Sequence, residues 1–522
     1  MKPSHIKITV PSTATVGDKI RAIVDVRNPD ETTSKYFFGR IVFEPTHGID
    51  MPLEHNINKG EEGRFIVEDI NLKARGIFRI RAVFRKESIS GESNPIRVSE
   101  KREQYGIYWA DIHGHSALSD GMGTPDEYYT FARDVAGLDI CAITDHDVYP
   151  QTLSKENWEK LKNAAQKFYE PDKFVTFLAY EWTAGQYFTK GPASGHHCVY
   201  FLDDYEHAKL YQCSNPETNT LDKLWSKYRD ANVITVPHHT AVNSPTFWYG
   251  WEHKNDKMQR LVEIYSTWGS SEMSNERKNT RMIRRLGGMV PKHSGKTIQE
   301  ALAKGFKFGF IGGSDGHDGR PGDSNSYIND PPLIATLSGV HEGHLYSGGI
   351  TAVLAKELTR EAVWDALKNR RVYATTGTKI LVDFSINGAL MGSEIEMSKK
   401  DDPVLKIHVS GTAPIKKISI VRNNHDIYSD APKKEEAKFT FIDREKKGGV
   451  SYYYLRIIQT DGHIAWSSPI WITRPEKRFD FVRKAIKAKT DEFRMKRFLK
   501  KETRKIARAH KKAAKKKTES KT

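Results

Sequence analysis

The stretch Trp109 to Asp147, WADIHGHSALSDGMGTPDEYYTFARDVAGLDICAITDHD, decides the fold reading. Ile107 to Ile112 is apolar and β-prone. It delivers His113 and His115 two residues apart, so on an extended backbone both imidazoles project from one face. Asp120 follows on the same loop. Thr124 suits an N-cap, Pro125 the first helical position and Glu127 the far side of a capping box, which predicts a helix to about Val135 that Gly137 stops. A second apolar run, Leu138 to Thr144, ends in Asp145-His146-Asp147. Two successive strands therefore release metal-type ligands at their carboxyl ends, where α/β folds keep their chemistry.

The same pattern recurs downstream. Asp172 to Trp182 reads as a buried strand carrying Glu181 near its end, and Gly195 to Tyr200 as a short strand with the pair His196-His197. Leu221 to Asp230 is helical in pattern, and Asn232 to Pro237 is a strand delivering His238 and His239. Leu261 to Tyr265 carries Glu263, a basic helix is predicted around Arg277 to Leu286, and Phe308 to Gly313 runs into Ser314-Asp315-Gly316-His317 with Arg320 just beyond. Thr359 caps an amphipathic helix to Asn369, and Val372 to Thr376 reads as a closing strand. Strands alternating with helices over residues 105–377 predict a parallel α/β domain.

On either side the periodicity changes to two. Residues 1–100 alternate over Ile20 to Val26, Tyr36 to Phe43, Gly63 to Val67 and Ile77 to Phe84, and residues 378–473 alternate again, with Tyr452 to Ile457 as the expected central strand. Both predict β-sandwiches. At 522 residues the chain is too long for one core. The net charge of +16 is not spread along it: residues 477–522 hold 20 Lys and Arg against 5 Asp and Glu, the rest 62 against 61. The body is electrically balanced, so the overall charge implies no basic groove there. The tail, residues 474–522, is expected to be a basic helix fraying into disorder that could contact polyanions such as nucleic acid. No transmembrane run and no signal-type apolar core appear, so a cytoplasmic protein is expected. Cys141, Cys198 and Cys213 form neither zinc-type pairs nor a disulfide framework.

Nitrogen and oxygen ligands without thiolate suit zinc, manganese or iron(II), and the candidates are too many for one ion. Several divalent ions can clamp the attacking and leaving oxygens of a phosphoryl group. Glu263 is a candidate for supporting a ligand or touching substrate, and Asp145 and Asp147 are candidates for orienting His146.

Residues 105–377 resemble the PHP (polymerase and histidinol phosphatase) family of metal-dependent phosphoesterases. The resemblance is carried by Tyr180-Glu181-Trp182-Thr183, Gly195-His196, GGSDGHDGRPG from Gly312 to Gly322, and GGITAVLAKELTREAVWDALKNRRVYATTG from Gly348 to Gly377. It implies an α/β fold built on a distorted (β/α)7 barrel, here flanked by N-terminal and C-terminal β-sandwiches and the basic helical tail. It implies two or three divalent ions per chain. His113, His115, Glu181 and Asp315 match ligands of the first, Asp120, His146 and His317 those of the second, and Glu181, His196 and His238 those of a third. Within each histidine pair the choice stays open at this point, with His197 and His239 expected to face elsewhere because neighbours on an extended chain alternate.

The implied activity is hydrolysis of a phosphomonoester or phosphodiester, a small-molecule or nucleotide substrate, by a hydroxide shared between two ions. Arg320 would either grip phosphate oxygens or form a loop salt bridge, and His239, if it still reaches the substrate, would protonate the leaving group. Two rivals are hydrolysis of a carboxylic ester, lactone or amide on the same metals, and nucleic-acid binding through the tail.

Overall fold

A computed structural model describes residues 2–148, 152–184, 194–202, 205–243, 250–275, 277–283, 289–291, 294–325, 346–445 and 448–475. They fall into two compact units: Met1–Ile395 with Pro403–Asp443 and Tyr452–Trp471, and Glu396–Asp402 with Arg444–Ser451 and Ile472–Thr522. All the metal-type residues named above belong to the first. The basic tail beyond residue 475 lies outside the described residues. Among them, no helix is long and apolar enough to cross a membrane.

The alternating N-terminal segment forms two antiparallel four-stranded sheets. One orders His5–Thr9, Lys19–Arg27, Arg64–Leu72 and Ile49–Asp50; the other orders Ile89–Glu92, Ile80–Phe84, Gly39–Pro45 and Glu54–Ile57. Their inward residues, among them Val24, Val26, Ile41, Ile70, Leu72 and Ile80, make one buried cluster. The period of two is thus explained by one face packed and one wet. The C-terminal alternation likewise builds a sheet of Leu381–Ile386, Val404–Ser410, Glu436–Ile442 and Ala389–Leu390. The strand carrying Tyr454 to Ile457 lies between two antiparallel neighbours, as its apolar run predicts.

The ligand-bearing strands lie in a sheet ordered Val233–Pro237, Gly195–Phe201, Val175–Ala184, Ile140–Ala142, Gly106–Asp111, Ile350–Ala355 and Val372–Thr375, which continues through Ile464–Ser467 into the strand carrying Tyr454. Val175–Ala184 is buried along its whole length, which accounts for its unbroken apolar run. Leu261–Ser266 pairs parallel with Gly309–Gly312 and packs beside Val233–Pro237, while Gly309–Gly312 packs beside Val372–Thr375.

The purely parallel α/β domain is corrected by this topology. Among the described residues of this domain, Gly106–Asp111, Ile140–Ala142 and Val175–Ala184 are parallel neighbours, as are Leu261–Ser266 and Gly309–Gly312; Val175–Ala184 with Gly195–Phe201, Gly195–Phe201 with Val233–Pro237, and Gly106–Asp111 with Ile350–Ala355 are antiparallel. The link from Ala184 to Gly195 is too short for the helical crossover a parallel neighbour needs. Regular (β/α)7 alternation is therefore not seen. Of the predicted basic helix from Arg277 to Leu286, residues 277–283 are non-helical, pinned because Ser270 N donates to the Arg281 carbonyl (2.6 Å) and Asn279 Nδ2 to those of Ser270 and Met273, and residues 284–286 lie outside the described residues.

The opening helix does form, over Pro125–Asp134. Thr124 Oγ1 accepts from Glu127 N and Glu127 Oε2 from Thr124 N, while Gly137 at φ +61 turns the chain away. Thr359 Oγ1 caps Arg360–Lys368 by accepting from Ala362 N, without a reciprocal side chain.

Asp323 joins the N-terminal sheets to the loop that carries Asp315 and His317. Its carboxylate accepts from Lys7 Nζ (2.5 Å), Arg27 Nη1 (2.7 Å) and Arg320 Nη2 (2.7 Å). Burial opposes its charge, but the three cations hold its carboxyl well below the usual range. Asp323→Asn should cost about 3 kcal/mol or more, since Arg27 is left buried with a partner missing. A depressed folded-state pKa stabilises fully above the unfolded value of about 4 and is lost as pH falls through the folded value. The gap in urea midpoint between wild type and variant should therefore be wide at pH 7 and narrow in strong acid. Equal gaps at both pH values would remove Asp323 from the charged network.

Candidate metal centre

Asp111, at the end of strand Gly106–Asp111, organises two ligand loops at once. Its Oδ1 accepts from Ser314 N (3.0 Å) and His113 N (3.3 Å), and its Oδ2 from Gly322 N (2.8 Å). Asp315 N donates to the His113 carbonyl and His115 N to that of Gly316, so loops about two hundred residues apart are stitched edge to edge. A carboxylate inside a strand carries no ligand-type spacing of its own, so Asp111 is not among the residues expected at the site. A signal did exist: it is a charged residue directly ahead of His-x-His.

This stitching brings His113, His115, Glu181 and Asp315 together, all buried. His113 Nε2 lies 3.4 Å from Glu181 Oε2 and 3.5 Å from Asp315 Oδ1; His115 Nε2 lies 3.4 Å and 3.3 Å from the same two oxygens. Hydrogen bonds between a charged imidazole and a carboxylate run about 2.7–2.9 Å, so these contacts are too long to be the purpose of the arrangement. They are instead close to the edges of a tetrahedron with a centre about 2.0–2.1 Å from each corner, the distance at which zinc takes nitrogen and oxygen.

A second group adjoins the first. Asp120 Oδ1 is 3.5 Å from both His146 Nε2 and His317 Nε2. The His115 ring is stacked with both imidazoles, its centroid 4.3 Å from each. Glu181 turns its other oxygen, Oε1, to His146 Nδ1 (3.3 Å), His196 Nδ1 (2.7 Å) and His238 Nε2 (3.4 Å). Several donor atoms here, His115 Nδ1, His238 Nε2, His317 Nδ1, Glu181 Oε1 and Asp315 Oδ2, are buried without a well-formed hydrogen bond among the described residues. Buried polar atoms are seldom left so, and their convergence fits divalent cations.

Burial and neighbouring charge divide the protons unevenly. His115 is pushed down to about 4 by burial and by facing His317 and His146, and His238 to about 4 by burial. For His146 burial opposes charge, yet Glu181 and Asp120 hold it up at about 10. A cation entering beside His146 must displace that proton, so its binding tightens as pH rises.

The histidine pairs resolve differently. His196 faces Glu181, while His197 turns its Nδ1 toward the Gly195 carbonyl (3.3 Å) and its ring toward Trp182. His238 and His239 both face inward, because His239 has φ +35 and the strand alternation that would send it away is broken there.

Two further expectations are not met by the hydrogen bonds seen, and for Arg320 the loop salt bridge is the alternative that forms. Arg320 does not serve the centre: its Nη2 is engaged by Asp323 (2.7 Å) and the Glu31 carbonyl (2.8 Å), next to the N-terminal sheets. Asp145 and Asp147 do not hold His146. Asp145 accepts from Ser116 N, Ser116 Oγ and Ser119 Oγ, and Asp147 from Thr183 N and Cys213 N. His146 Nδ1 instead lies 2.8 Å from Thr183 Oγ1, a hydroxyl two residues beyond Glu181 on the same strand. Glu263 meets its expectation: Oε2 lies 2.7 Å from His113 Nδ1, which leaves His113 Nε2 aimed at the first group. Burial pushes Glu263 up to about 7. Glu263→Gln should weaken divalent-metal affinity about 10- to 100-fold, as losing a ligand's outer partner does. Competition with a chromophoric chelator measures it; unchanged affinity would make the Glu263–His113 contact incidental. Cys198 Sγ lies 3.8 Å from His238 Nδ1, with burial raising the thiol to about 11.

A family model described as a protein of unknown function (DUF3604) matches residues 126–274 and 294–411. The chain belongs to the DUF3604 family. An uncharacterized protein of Chlamydia trachomatis is 28% identical over 457 residues, covering 82% of this chain and 68% of its own length. One of Chlamydia muridarum is 29% identical over 433 residues, covering 79% and 64%. This DUF3604 chain thus spans about two thirds of the length of such relatives. Among solved structures, a two-domain protein of Bacteroides vulgatus containing a predicted PHP-like metal-dependent phosphoesterase is 16% identical, covering 71% of this chain and 96% of that one with a TM-score of 0.35. At that score the likeness says nothing about what a DUF3604 protein does.

Proposed function

We propose that this protein is a PHP-type metal-dependent hydrolase that cleaves a phosphomonoester or phosphodiester, and that its ligand-bearing strands are a distorted form of that family's barrel. The observation that supports it is the spacing of the buried donors. Imidazole nitrogens and carboxylate oxygens 3.3–3.5 Å apart are set for cations, and Glu181 shares its two oxygens between neighbouring groups. Divalent ions in such a cradle neutralise charge developing on phosphoryl oxygens and make water more acidic. The chain's own residues then have separate tasks. Asp111 fixes the two loops, Glu263 aims His113, and Thr183 aims His146. His113, His115, Glu181 and Asp315 would hold one ion, and Asp120, His146 and His317 a second.

The test is metal analysis of the purified chain, followed by parallel panels of phosphate esters and of carboxylic esters, lactones and amides with added manganese or zinc. Phosphate release that a chelator and His113→Ala both abolish supports the proposal. A silent phosphate panel beside an active carbonyl panel transfers the same centre to acyl chemistry, and a chain without bound metal sinks both.

A further inference from the structure

We propose that His239 is the fourth protein donor of a third cation site, with Glu181, His196 and His238, and so a ligand rather than the leaving-group acid; this rests on the metal-centre reading above. The backbone carries the first part of the case. A left-handed φ of +35 is uncommon for a residue other than glycine and costs free energy, so it persists only where the surroundings enforce it. Here Val242 N donates to the His239 carbonyl, Ala241 N to Ser271 Oγ, and the Trp268 ring packs at 4.9 Å. The result is two consecutive histidines on one side of the chain, their ring centroids 4.2 Å apart, with His239 also 5.0 Å from His196.

The second part is convergence. One nitrogen from each of His196, His238 and His239 lies within 4.8 Å of the other two, and all three residues are buried. Glu181 Oε1 already faces two of them, at 2.7 Å from His196 and 3.4 Å from His238. Gathering three imidazoles at the expense of backbone strain, two of them facing one carboxylate oxygen, is explained by a cation between them. The other pair is the contrast: His197 obeys strand alternation and leaves the pocket toward Trp182.

The consequence concerns the division of labour. Three imidazole nitrogens together with Glu181 would offer a cation four protein donors, the number found in structural zinc sites. Asp120, His146 and His317 are joined by His115, whose Nδ1 lies 4.0 Å from Asp120 Oδ1 while its Nε2 faces the first group, so this more widely spaced set is the one with room for substrate. Substrate exchange belongs there.

Cobalt(II) serves as the probe, because four-coordinate cobalt absorbs visible light far more strongly than six-coordinate cobalt. Full-length wild type, His239→Ala, His239→Asn and His197→Ala would each be loaded, dialysed, and assayed for metal per chain and for the visible band, with circular dichroism checking the fold. Both His239 variants should hold one ion fewer than wild type and lose part of the four-coordinate band, while His197→Ala matches wild type. If the folded His239 variants keep the wild-type metal count and spectrum, or lose every ion, the assignment is overturned. A wild-type chain that takes up no cobalt would instead overturn the metal-centre reading itself.

Discussion

Glu181→Gln should release most of the bound divalent metal and lower hydrolysis by about 10³-fold or more, equivalent to roughly 4 kcal/mol of lost transition-state stabilisation. No other side chain in the pocket faces as many donors: Oε2 looks at His113 and His115, Oε1 at His146, His196 and His238. The substitution keeps shape and volume while removing the charge that offsets two cations, and its amide presents N–H where a ligand must accept. Inductively coupled plasma analysis reads the first loss and the substrate panel the second. A readout without metal is also available. His146 is held near 10 by Glu181 and Asp120 together, so in the variant its titration, followed by NMR of the ring protons, should shift to lower pH. Metal content and activity equal to wild type would mean that the pocket is not organised around Glu181.

How far the centre could be read from the sequence depends on what kind of information each residue carries. Where strands end is local: apolar runs stop, and His113, His115, His146, Glu181 and Asp315 follow or sit at those ends, which is how they come together here. The capping box at Thr124 and the period-two flanks are local as well. Partner choice is not. Asp145 flanks His146 in sequence, yet its carboxylate is taken by Ser116 and Ser119, while Thr183 from a neighbouring strand reaches the imidazole. Strand direction is equally silent in the pattern, because a run buried on both faces looks alike whether its neighbours run parallel or antiparallel. The inward turn of His239 depends on a left-handed backbone that no property of histidine announces. Arg320 shows the opposite hazard: next to a ligand loop in sequence, it is drawn to Asp323.

Glu272→Ala should destabilise the protein by about 3–5 kcal/mol, because it strands a buried cation. Glu272 lies in the segment after Trp268 and is 1% exposed. Its Oε1 accepts from Arg456 Nη1 (2.6 Å) and Tyr454 Oη (2.6 Å), and its Oε2 from Trp466 Nε1 (2.8 Å). Removing it leaves three buried donors short of a partner, with Asp426 alone facing Arg456 at 2.8 Å. The strands that carry these donors continue the sheet of the metal centre, since Ile464–Ser467 pairs with Val372–Thr375. Through Ser271, which accepts from Ala241 N, and Trp268, which packs on His239, the same segment braces the third histidine cluster. The loss should therefore appear twice, as a lower urea midpoint and as weaker retention of metal. Glu272→Leu combined with Arg456→Met separates the causes: replacing both charges by apolar groups should recover much of the midpoint, because an absent pair costs less than half a pair. If the single and double variants unfold at the same urea concentration, the stability comes from packing around Trp466 and Tyr454, and the buried charge pair contributes nothing measurable.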